Sequence, residues 1–199
     1  MTPTSPALAI FLKAPRPGMV KTRLAASIGV ERALALYRRM ATATLEAARA
    51  AALDVTIWYA PADAGEEMRA WLGDGWTYRA QPAGDLGARL AHAARSAEPG
   101  PWMAIGVDCP GLTSGILREA ADIAAHGRIA LGPTQDGGYY LIGGPTPLPD
   151  LFSDIPWSTS GVLTRTRARL EQAGAPWREL PLLRDVDTEA DARAAGLLT

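Results

Sequence analysis

The chain has 199 residues, and 48% of them are hydrophobic, about the share found in globular proteins that bury a large core. Its 20 basic and 21 acidic residues nearly cancel, so charge gives no argument for nucleic acid as the main partner. Because Cys109 is the single cysteine, the sequence excludes an intramolecular disulfide and a cysteine cluster for zinc or an iron–sulfur centre.

The length and the lack of a linker-like segment predict one domain over residues 1–199. The first apolar segment, 7–13, predicts a buried strand and is too short for a membrane span or a signal peptide. A single cysteine suits a reducing compartment. We therefore expect a cytoplasmic protein without a membrane partner, while the oligomeric state stays open.

Apolar segments alternate with segments of helical periodicity along the rest of the chain. Strands are predicted at 54–60, 76–80, 102–107, 128–131, 139–142 and 177–182. Helices are predicted at 22–52 with a break at 27–29, and then at 66–72, 85–96, 113–126, 159–173 and 188–198. This alternation predicts an α/β fold in which helices cover both faces of a mostly parallel sheet.

The segment after the first strand, residues 13–24, carries four cations around a Pro/Gly turn that leads into a helix. Free N–H groups and the dipole at a helix start favour an anion, and Lys and Arg side chains add donors for phosphate. The segment is therefore predicted to bind phosphates, with a solvated basic loop as the alternative. The predicted contacts are Lys13, Arg16, Gly18, Lys21, Thr22 and Arg23. The sequence contains neither a Walker A loop nor a Rossmann fingerprint.

The segment after the third strand, residues 81–89, is predicted to contact the base or ribose of a nucleotide. The candidate contacts are Gly84, Asp85 and Arg89. Two ordinary roles are the alternatives, since Asp85 is a plausible N-cap of the next helix and Arg89 a plausible surface cation.

Asp108 follows the fourth strand and precedes a forced turn, Cys109-Pro110-Gly111. A carboxylate at this position points into the crevice beyond the sheet, where ligands of open α/β sheets bind. Asp108 is therefore predicted to hold Mg²⁺ or Mn²⁺ and to leave positions for phosphate oxygens, with capping of the turn as the alternative. Cys109 is predicted to be a small buried residue rather than a nucleophile.

Asp136 precedes Gly137 and Gly138 in a tight turn between two strands. Glycines let a ligand approach the backbone closely, and Asp-Gly is also a strong hairpin signal, so a binding role and a hairpin are compatible. We expect Asp136 to position or deprotonate the acceptor of a transfer reaction.

Two acids, Asp185 and Asp187, flank Val186 between the last strand and the last helix. Asp187 or Thr188 can be the N-cap of that helix, which alone would explain the residue types. To act as a second metal ligand, Asp187 would have to meet Asp108 at the sheet edge.

Taken in order, these segments resemble one bacterial transferase family. The motifs are K-x-P-x-P-G-x-V-K-T-R-L, Q-x-x-G-D-L-G-x-R, G-x-D-C-P, Q-D-G-G-Y-Y, I-P-W-S-T and D-V-D-T, and they extend over about residues 7–194. The family is the glycosyltransferase-like family associated with radical SAM and selenodomain proteins, which is related to phospholactate guanylyltransferase.

The resemblance implies a single-domain nucleotide-diphospho-sugar transferase fold of the GT-A type. It also implies that Lys21 and Arg23 contact phosphates, that Asp108 holds the metal, and that Asp187 is a second acid near it. The chain departs from the D-x-D motif of glycosyltransferases, because G-V-D-C-P supplies one acid only.

The residues and the resemblance together predict a metal-dependent transferase with a nucleotide or nucleotide-sugar donor and a small-molecule acceptor. Glycosyl transfer is the leading interpretation, in which Lys21, Arg23 and a metal at Asp108 neutralise the leaving phosphate. Nucleotidyl transfer with release of pyrophosphate is the first alternative. A nucleotide-binding protein with a decayed catalytic site is the second, since a lone acid at Asp108 permits it.

Overall fold

Strands and helices alternate along the chain, as the sequence predicts. The computed structural model describes residues 5–198, so residues 1–4 and 199 of the predicted domain lie outside the described part. Within it the strands are β1 (Ala7–Lys13), β2 (Asp54–Ala60), β3 (Thr77–Ala80), β4 (Trp102–Ile105), β5 (Ile129–Pro133), β6 (Tyr139–Gly144) and β7 (Trp177–Glu179). The helices are α1 (Thr22–Ile28), α2 (Val30–Ala50), α3 (Gly65–Leu72), α4 (Leu86–Arg95), α5 (Ser114–Ala125), α6 (Val162–Gln172) and α7 (Glu189–Ala194). No helix in this part of the chain is long and apolar enough to cross a membrane.

The strands form one sheet in the order β3-β2-β1-β4-β6-β5-β7. β1 pairs in parallel with β2 and β4, and β2 pairs in parallel with β3. β6 runs antiparallel between β4 and β5, and β7 is parallel to β5. The predicted mostly parallel sheet is confirmed, and β5 and β6 form the hairpin that the Asp-Gly signal indicated. Because β6 alone runs the other way among these strands, the carboxyl ends of the others lie at one edge of the sheet.

Helices cover both faces of the sheet because the side chains of each strand alternate between the faces. In β1, Leu8, Ile10 and Leu12 pack with α2, α3 and α5 on one face. Ala9 and Phe11 lie on the other face, where α4 and α6 pack. Burial of an aliphatic side chain of this size contributes about 1.5–3 kcal/mol, so both faces hold β1 firmly. The loop that follows β1 therefore starts from a rigid strand end.

The segment that follows β7 carries the chain back to the middle of the sheet edge. Leu183 N–H donates to Pro133 O, at the end of β5, over 3.1 Å. Val186 N–H then donates to Asp108 O, beyond the end of β4, over 2.9 Å. Residues 180–186 thus run from the outermost strand to the carboxyl end of β4, and they place the residues before α7 beside the loop that follows β4.

The last three predicted elements are shorter in the structure than in the prediction. α6 begins at Val162, because the left-handed backbone of Ser158 (φ 64°) and the turn after it delay the helix. β7 ends at Glu179, after which the pairing with β5 becomes irregular: Leu180 N–H donates to Leu131 O, and Leu183 N–H donates to Pro133 O. α7 ends shortly before Gly196, whose φ of 68° is left-handed and typical of a helix end.

Candidate functional site

A cavity of about 550 Å³ lies beyond the carboxyl ends of β1 and β4. Its lining includes Lys13, Lys21, Thr22 and Arg23 from the loop after β1 and the start of α1. Arg89 of α4 lines it as well. This first cavity therefore has a markedly cationic lining, at the sheet edge where the sequence predicts phosphate contacts.

Lys21 joins two carboxylates beside this cavity. Its Nζ lies 2.7 Å from Asp108 Oδ1 and 2.9 Å from Asp187 Oδ1. The Lys21 side chain is 5% exposed, whereas the two acids are about half exposed. Burial alone would lower the pKa of Lys21, but the two carboxylates outweigh it and the pKa is raised. The structure thus brings Asp108 and Asp187 together around a buried ammonium ion. The contact of Lys21 with phosphates stays a prediction.

The backbone of Lys21 is strained. Its φ of 48° and ψ of 46° are left-handed, and the residue precedes α1 without a side-chain cap. This conformation costs an ordinary L-residue about 1–2 kcal/mol. The flanking residues Val20 and Leu24 are buried in the core and hold the chain in place. Strain of this kind concentrates at functional sites, where surrounding packing enforces it.

Thr188 rather than Asp187 caps α7. Thr188 Oγ1 accepts from Asp191 N–H over 3.2 Å, and Asp191 Oδ2 accepts from Thr188 N–H over 2.9 Å, which is a capping box. The hydrogen bonds from Thr188 lower the pKa of Asp191. The Asp187 carboxylate is therefore left for Lys21, and its second oxygen lies 3.8 Å from Arg23 Nη1.

A second cavity, of about 540 Å³, adjoins the first and shares Arg23, Asp108 and Asp187 with it. Asp136 and Asp185 also line this second cavity, so four carboxylates surround a space that one cation lines. The other polar residues of the lining carry hydroxyl groups: Thr134, Tyr139, Tyr140, Ser158, Thr159 and Ser160. The two cavities therefore meet at the Lys21 cluster and differ in the sign of their charge.

The turn between β5 and β6 holds Asp136 at the second cavity. Asp136 Oδ1 accepts from Thr134 Oγ1 over 2.6 Å and from Gly138 N–H over 2.9 Å. These bonds use one carboxylate oxygen to shape the turn. The hairpin interpretation of the Asp-Gly signal is confirmed, while the role of Asp136 toward an acceptor stays a prediction.

Gly137 connects this turn to the loop before α6. Its φ is 88°, and a Cβ at this position would overlap the backbone carbonyl of Ser160. Leu163 N–H donates to Gly137 O over 2.8 Å, which fixes the two segments to each other. The walls of the second cavity from residues 134–138 and 158–162 are thus one packed unit.

Arg16 and Gly18 do not line either of the two cavities, so their contact with phosphates stays a prediction that this geometry does not favour. Arg16 Nε–H donates to Glu67 Oε2 over 2.8 Å, and Arg16 Nη2 lies 3.5 Å from Asp63 Oδ1. Gly18 has a φ of 73° in an exposed turn, where a Cβ would meet nothing within 4 Å. Acids at and just before α3 therefore hold Arg16 away from the cavity, and Gly18 serves the turn itself.

Of the three residues predicted after β3, Arg89 lines a cavity and the other two do not. Asp85 Oδ1 accepts from Ala88 N–H over 2.8 Å and is the N-cap of α4, as the alternative proposed. Gly84 has a φ of 111°, and its carbonyl accepts from Arg89 Nε–H over 3.0 Å. Gly84 and Asp85 thus shape the start of α4 and orient Arg89.

The sequence matches the profile of one protein family. The profile of the family described as "Uncharacterized protein conserved in bacteria (DUF2064)" matches residues 42–159. The chain belongs to this family. No curated protein matches it significantly.

Several solved structures resemble this DUF2064 chain. A protein from Desulfovibrio desulfuricans G20, provisionally named a nucleotide-diphospho-sugar transferase, is 34% identical with a TM-score of 0.90, over 96% of this chain and 87% of that chain. Rv0371c from Mycobacterium tuberculosis H37Rv is 22% identical with a TM-score of 0.60, over 98% of both chains, and a second structure of it is a complex with manganese. The inositol-1-phosphate CTP transferase from T. maritima is 13% identical with a TM-score of 0.60, over 98% of this chain and 95% of that one.

These similarities confirm part of the predicted resemblance. The nucleotide-diphospho-sugar transferase fold is confirmed, and the two more distant structures bear on the fold alone. The association with radical SAM and selenodomain proteins stays a prediction, as does the relation to phospholactate guanylyltransferase.

Two polar residues that were not among the predicted site residues hold the lining of the first cavity in this DUF2064 chain. Tyr37 Oη donates to Lys13 O over 2.8 Å and accepts from Lys13 N–H over 2.9 Å, and burial raises the pKa of Tyr37. Gln81 Oε1 accepts from Arg89 Nη1–H over 3.0 Å, while its amide donates to Leu12 O and Trp58 O. Gln81 stands in a quoted motif, but Tyr37 has only the helical periodicity of a core residue.

Asp185 is a third residue of the site that was not predicted. Burial raises its pKa, and the nearby negative charge of Asp136 raises it further. The two acids are therefore electrostatic neighbours across the second cavity. The sequence signal was present, since Asp185 is the first acid of the D-V-D-T motif.

Asp108 and Asp187 are suited to bind a divalent metal whose other ligands come from a bound substrate. Within residues 5–198, no group of three or more His, Cys, Asp or Glu side chains is arranged to hold an ion. Both carboxylates nevertheless converge on one point, and the Lys21 ammonium, a cation, already lies there. Mg²⁺ and Mn²⁺ prefer oxygen ligands, and Mg²⁺ is often bound by one or two carboxylates and substrate phosphates. The donor set therefore fits a metal that binds together with a phosphorylated ligand.

Proposed function

We propose that the chain is a metal-dependent glycosyltransferase that moves a sugar from a nucleotide-sugar to a small acceptor with a hydroxyl or amino group. The observation that carries the proposal is the contrast between the two adjoining cavities. Four cations and two carboxylates line the first cavity, whereas one cation and four carboxylates line the second. This division suits a donor that carries phosphates and an acceptor that carries none.

The first cavity is the proposed donor site. Lys13, Arg23 and Arg89 would contact the phosphates and ribose, and Lys21 would join them once the donor is bound. Such cations stabilise the negative charge that develops on a leaving nucleoside diphosphate. The resemblance of the fold to nucleotide-dependent transferases, including one relative at 34% identity, supports a nucleotide as the donor.

Asp108 and Asp187 are the proposed metal ligands. A bound Mg²⁺ or Mn²⁺ would neutralise charge on the phosphate oxygens of the leaving group. The manganese complex of Rv0371c, a structure with 22% identity to this chain, supports a metal in this fold. With two protein carboxylates, most remaining ligands would come from the donor and from water.

The second cavity is the proposed acceptor site. Asp136 has one oxygen engaged in its own turn, and its carboxylate lines the cavity, so it would orient an acceptor hydroxyl or take its proton. Asp185 adds a second negative charge to the same lining. An acceptor with a phosphate or carboxylate group would be repelled here, whereas a polyol or an amine would not.

Nucleotidyl transfer remains the second candidate, because the four cations around the first cavity suit a triphosphate at least as well as a sugar diphosphate. The fold of the T. maritima CTP transferase is compatible with it. The acid-rich second cavity speaks against the phosphorylated acceptors that such a reaction commonly uses.

A thermal-shift panel tests the donor site first. ATP, GTP, CTP, UTP and UDP-, GDP- and ADP-linked sugars are each added with and without Mg²⁺ or Mn²⁺. A ligand at a hundred times its dissociation constant adds about 2.7 kcal/mol of stability, which is readily measured. Metal-dependent stabilisation by one nucleotide class supports the proposal, and no shift with any of them refutes it.

The released product then separates the two reactions. Glycosyl transfer releases a nucleoside diphosphate, whereas nucleotidyl transfer releases pyrophosphate. Asp108→Asn should abolish either product while circular dichroism shows an intact fold. Wild-type protein that binds a nucleotide and releases neither product, with any acceptor tried, would indicate a binding protein instead.

A further inference from the structure

The Lys21 ammonium lies between Asp108 and Asp187, at the point where a metal bound by the same two carboxylate oxygens would lie. Its Nζ is within hydrogen-bonding distance of one oxygen from each acid, and its side chain is 5% exposed. Arg23, the other cation near Asp187, is 77% exposed and stands 3.8 Å from it. Lys21 is therefore the tightly held cation of this cluster, and Arg23 is a peripheral one.

We infer that Lys21 and a divalent metal compete for Asp108 and Asp187, and that donor phosphate relieves the competition by giving Lys21 a new partner. The inference rests on the proposed function for the donor part alone. It predicts that the free protein binds metal weakly and that metal and donor bind cooperatively.

Electrostatics requires the competition. An ammonium ion and a divalent cation cannot both lie within contact distance of the same two carboxylate oxygens without strong mutual repulsion. Lys21 must therefore move before a metal can bind the two carboxylate oxygens that it contacts. The four-carbon stem of lysine allows the ammonium to move while the strained backbone at φ 48° stays in place.

The cavity lining shows where the ammonium would go. Lys21 lines the first cavity and does not line the second, so space open to its side chain lies on the proposed donor side. Lys13, Arg23 and Arg89 line the same cavity, and among the residues described, 5–198, no acid of its lining other than Asp108 and Asp187 offers the ammonium a partner. A donor phosphate would supply that partner. Because coupling between two ligands is reciprocal, metal and donor would each raise the affinity for the other by the same factor.

A Mn²⁺ titration of the protein alone, followed by calorimetry or by the EPR signal of free Mn²⁺, tests the competition. Lys21→Met should bind Mn²⁺ at least tenfold more tightly than the wild type. Arg23→Met is the matched control. It also removes one positive charge near Asp187, but it leaves the Lys21 ammonium between the two carboxylates. The double variant Lys21→Met, Asp187→Asn should lose the gain, which assigns the ion to this pair.

An equal or weaker Mn²⁺ affinity of Lys21→Met would overturn the inference, and so would an equal gain in Arg23→Met. A second measurement uses the wild type and does not depend on a variant that folds. Lys13 and Lys21 are the only lysines of the chain, and Lys13 is exposed. Acetylation by an amine-reactive ester, mapped by mass spectrometry, should modify Lys13 rapidly and Lys21 slowly. Millimolar Mn²⁺ should raise the rate at Lys21 several-fold without changing that of Lys13, and an unchanged rate at Lys21 would overturn the competition.

A separate titration tests the part of the inference that concerns the donor phosphate. ADP, GDP, CDP and UDP serve as probes, each titrated with and without Mn²⁺. In the wild type Mn²⁺ should raise the affinity for at least one of them more than it does in Lys21→Met. If none of the four binds, the proposed donor site and the donor part of the inference fail, while the Mn²⁺ and acetylation results still decide the competition.

Discussion

Gly137→Ala should damage the second cavity while it leaves the first intact. Gly137 has a φ of 88°, and a Cβ there would overlap the carbonyl of Ser160. The left-handed backbone alone costs an alanine about 1–2 kcal/mol. The overlap adds the penalty of an overpacked site, about 1–3 kcal/mol. We therefore expect Gly137→Ala to lower the free energy of unfolding by about 2–5 kcal/mol.

The turn cannot simply slide away from this overlap. Leu163 N–H donates to Gly137 O, so separation of the two segments also breaks a hydrogen bond. Gly174→Ala is the matched control, because Gly174 has a φ of 58° and a Cβ there would meet nothing within 4 Å. It should cost about 1–2 kcal/mol, the backbone penalty alone.

Urea unfolding of the two variants and the wild type measures the difference. In the same preparations, the thermal shift with a nucleotide of the donor panel should be preserved in Gly137→Ala, and product formation should fall at least tenfold. The reasoning is refuted if Gly137→Ala is no less stable than Gly174→Ala. Loss of both nucleotide binding and turnover would also contradict it, since a substitution at the second cavity would then also have damaged the first.

Three further predictions follow from the site. Arg89→Ala should weaken nucleotide binding about tenfold, the usual loss of a charge-assisted contact to a phosphate or base, whereas Arg16→Ala should leave it unchanged; isothermal titration of both variants decides this. Thr188→Ala should lower the free energy of unfolding by about 1 kcal/mol through loss of the α7 cap, and an unchanged urea midpoint would contradict the capping box. Burial raises the pKa of the Cys109 thiol, so Ellman's reagent at pH 8 should react with it only after unfolding, and rapid reaction of the native protein would argue against that burial.

Local sequence patterns predicted most of the elements because their signals lie within the elements themselves. The strand at 54–60 was predicted with the bounds it has, since turn residues border a short apolar segment. The break between α1 and α2 at Gly29 followed from its left-handed conformation, which glycine adopts readily. Elements near the carboxyl end were predicted too long, because the left-handed backbone of Ser158 and the irregular pairing with β5 after Glu179 depend on tertiary contacts that periodicity does not reveal.

The contacts between distant segments could be predicted less well from the sequence. The sequence placed Asp108 and Asp187 after strands, but their approach depends on residues 180–186 running back along the sheet edge to the end of β4. Because antiparallel β6 lies between β4 and β5, these residues must cross the width of two strands to reach the end of β4 from β5. No residue in the D-V-D-T motif signals it, so the residues alone left the meeting of the two acids as a condition, and the family resemblance supplied the prediction.

The roles of the loop cations show most clearly why a site cannot be derived from its residue types. Arg16 and Lys21 lie five positions apart in one basic loop, and both were expected to bind phosphate. Arg16 forms an ion pair with Glu67, which is distant in the sequence, and its side chain lies outside the cavity. Lys21 forms ion pairs with Asp108 and Asp187, which are still more distant in the sequence, and its side chain lies at the centre of the site. Charge and spacing therefore predicted an anion site at this loop, whereas the position of acids contributed by other segments determined which of its cations line the cavity.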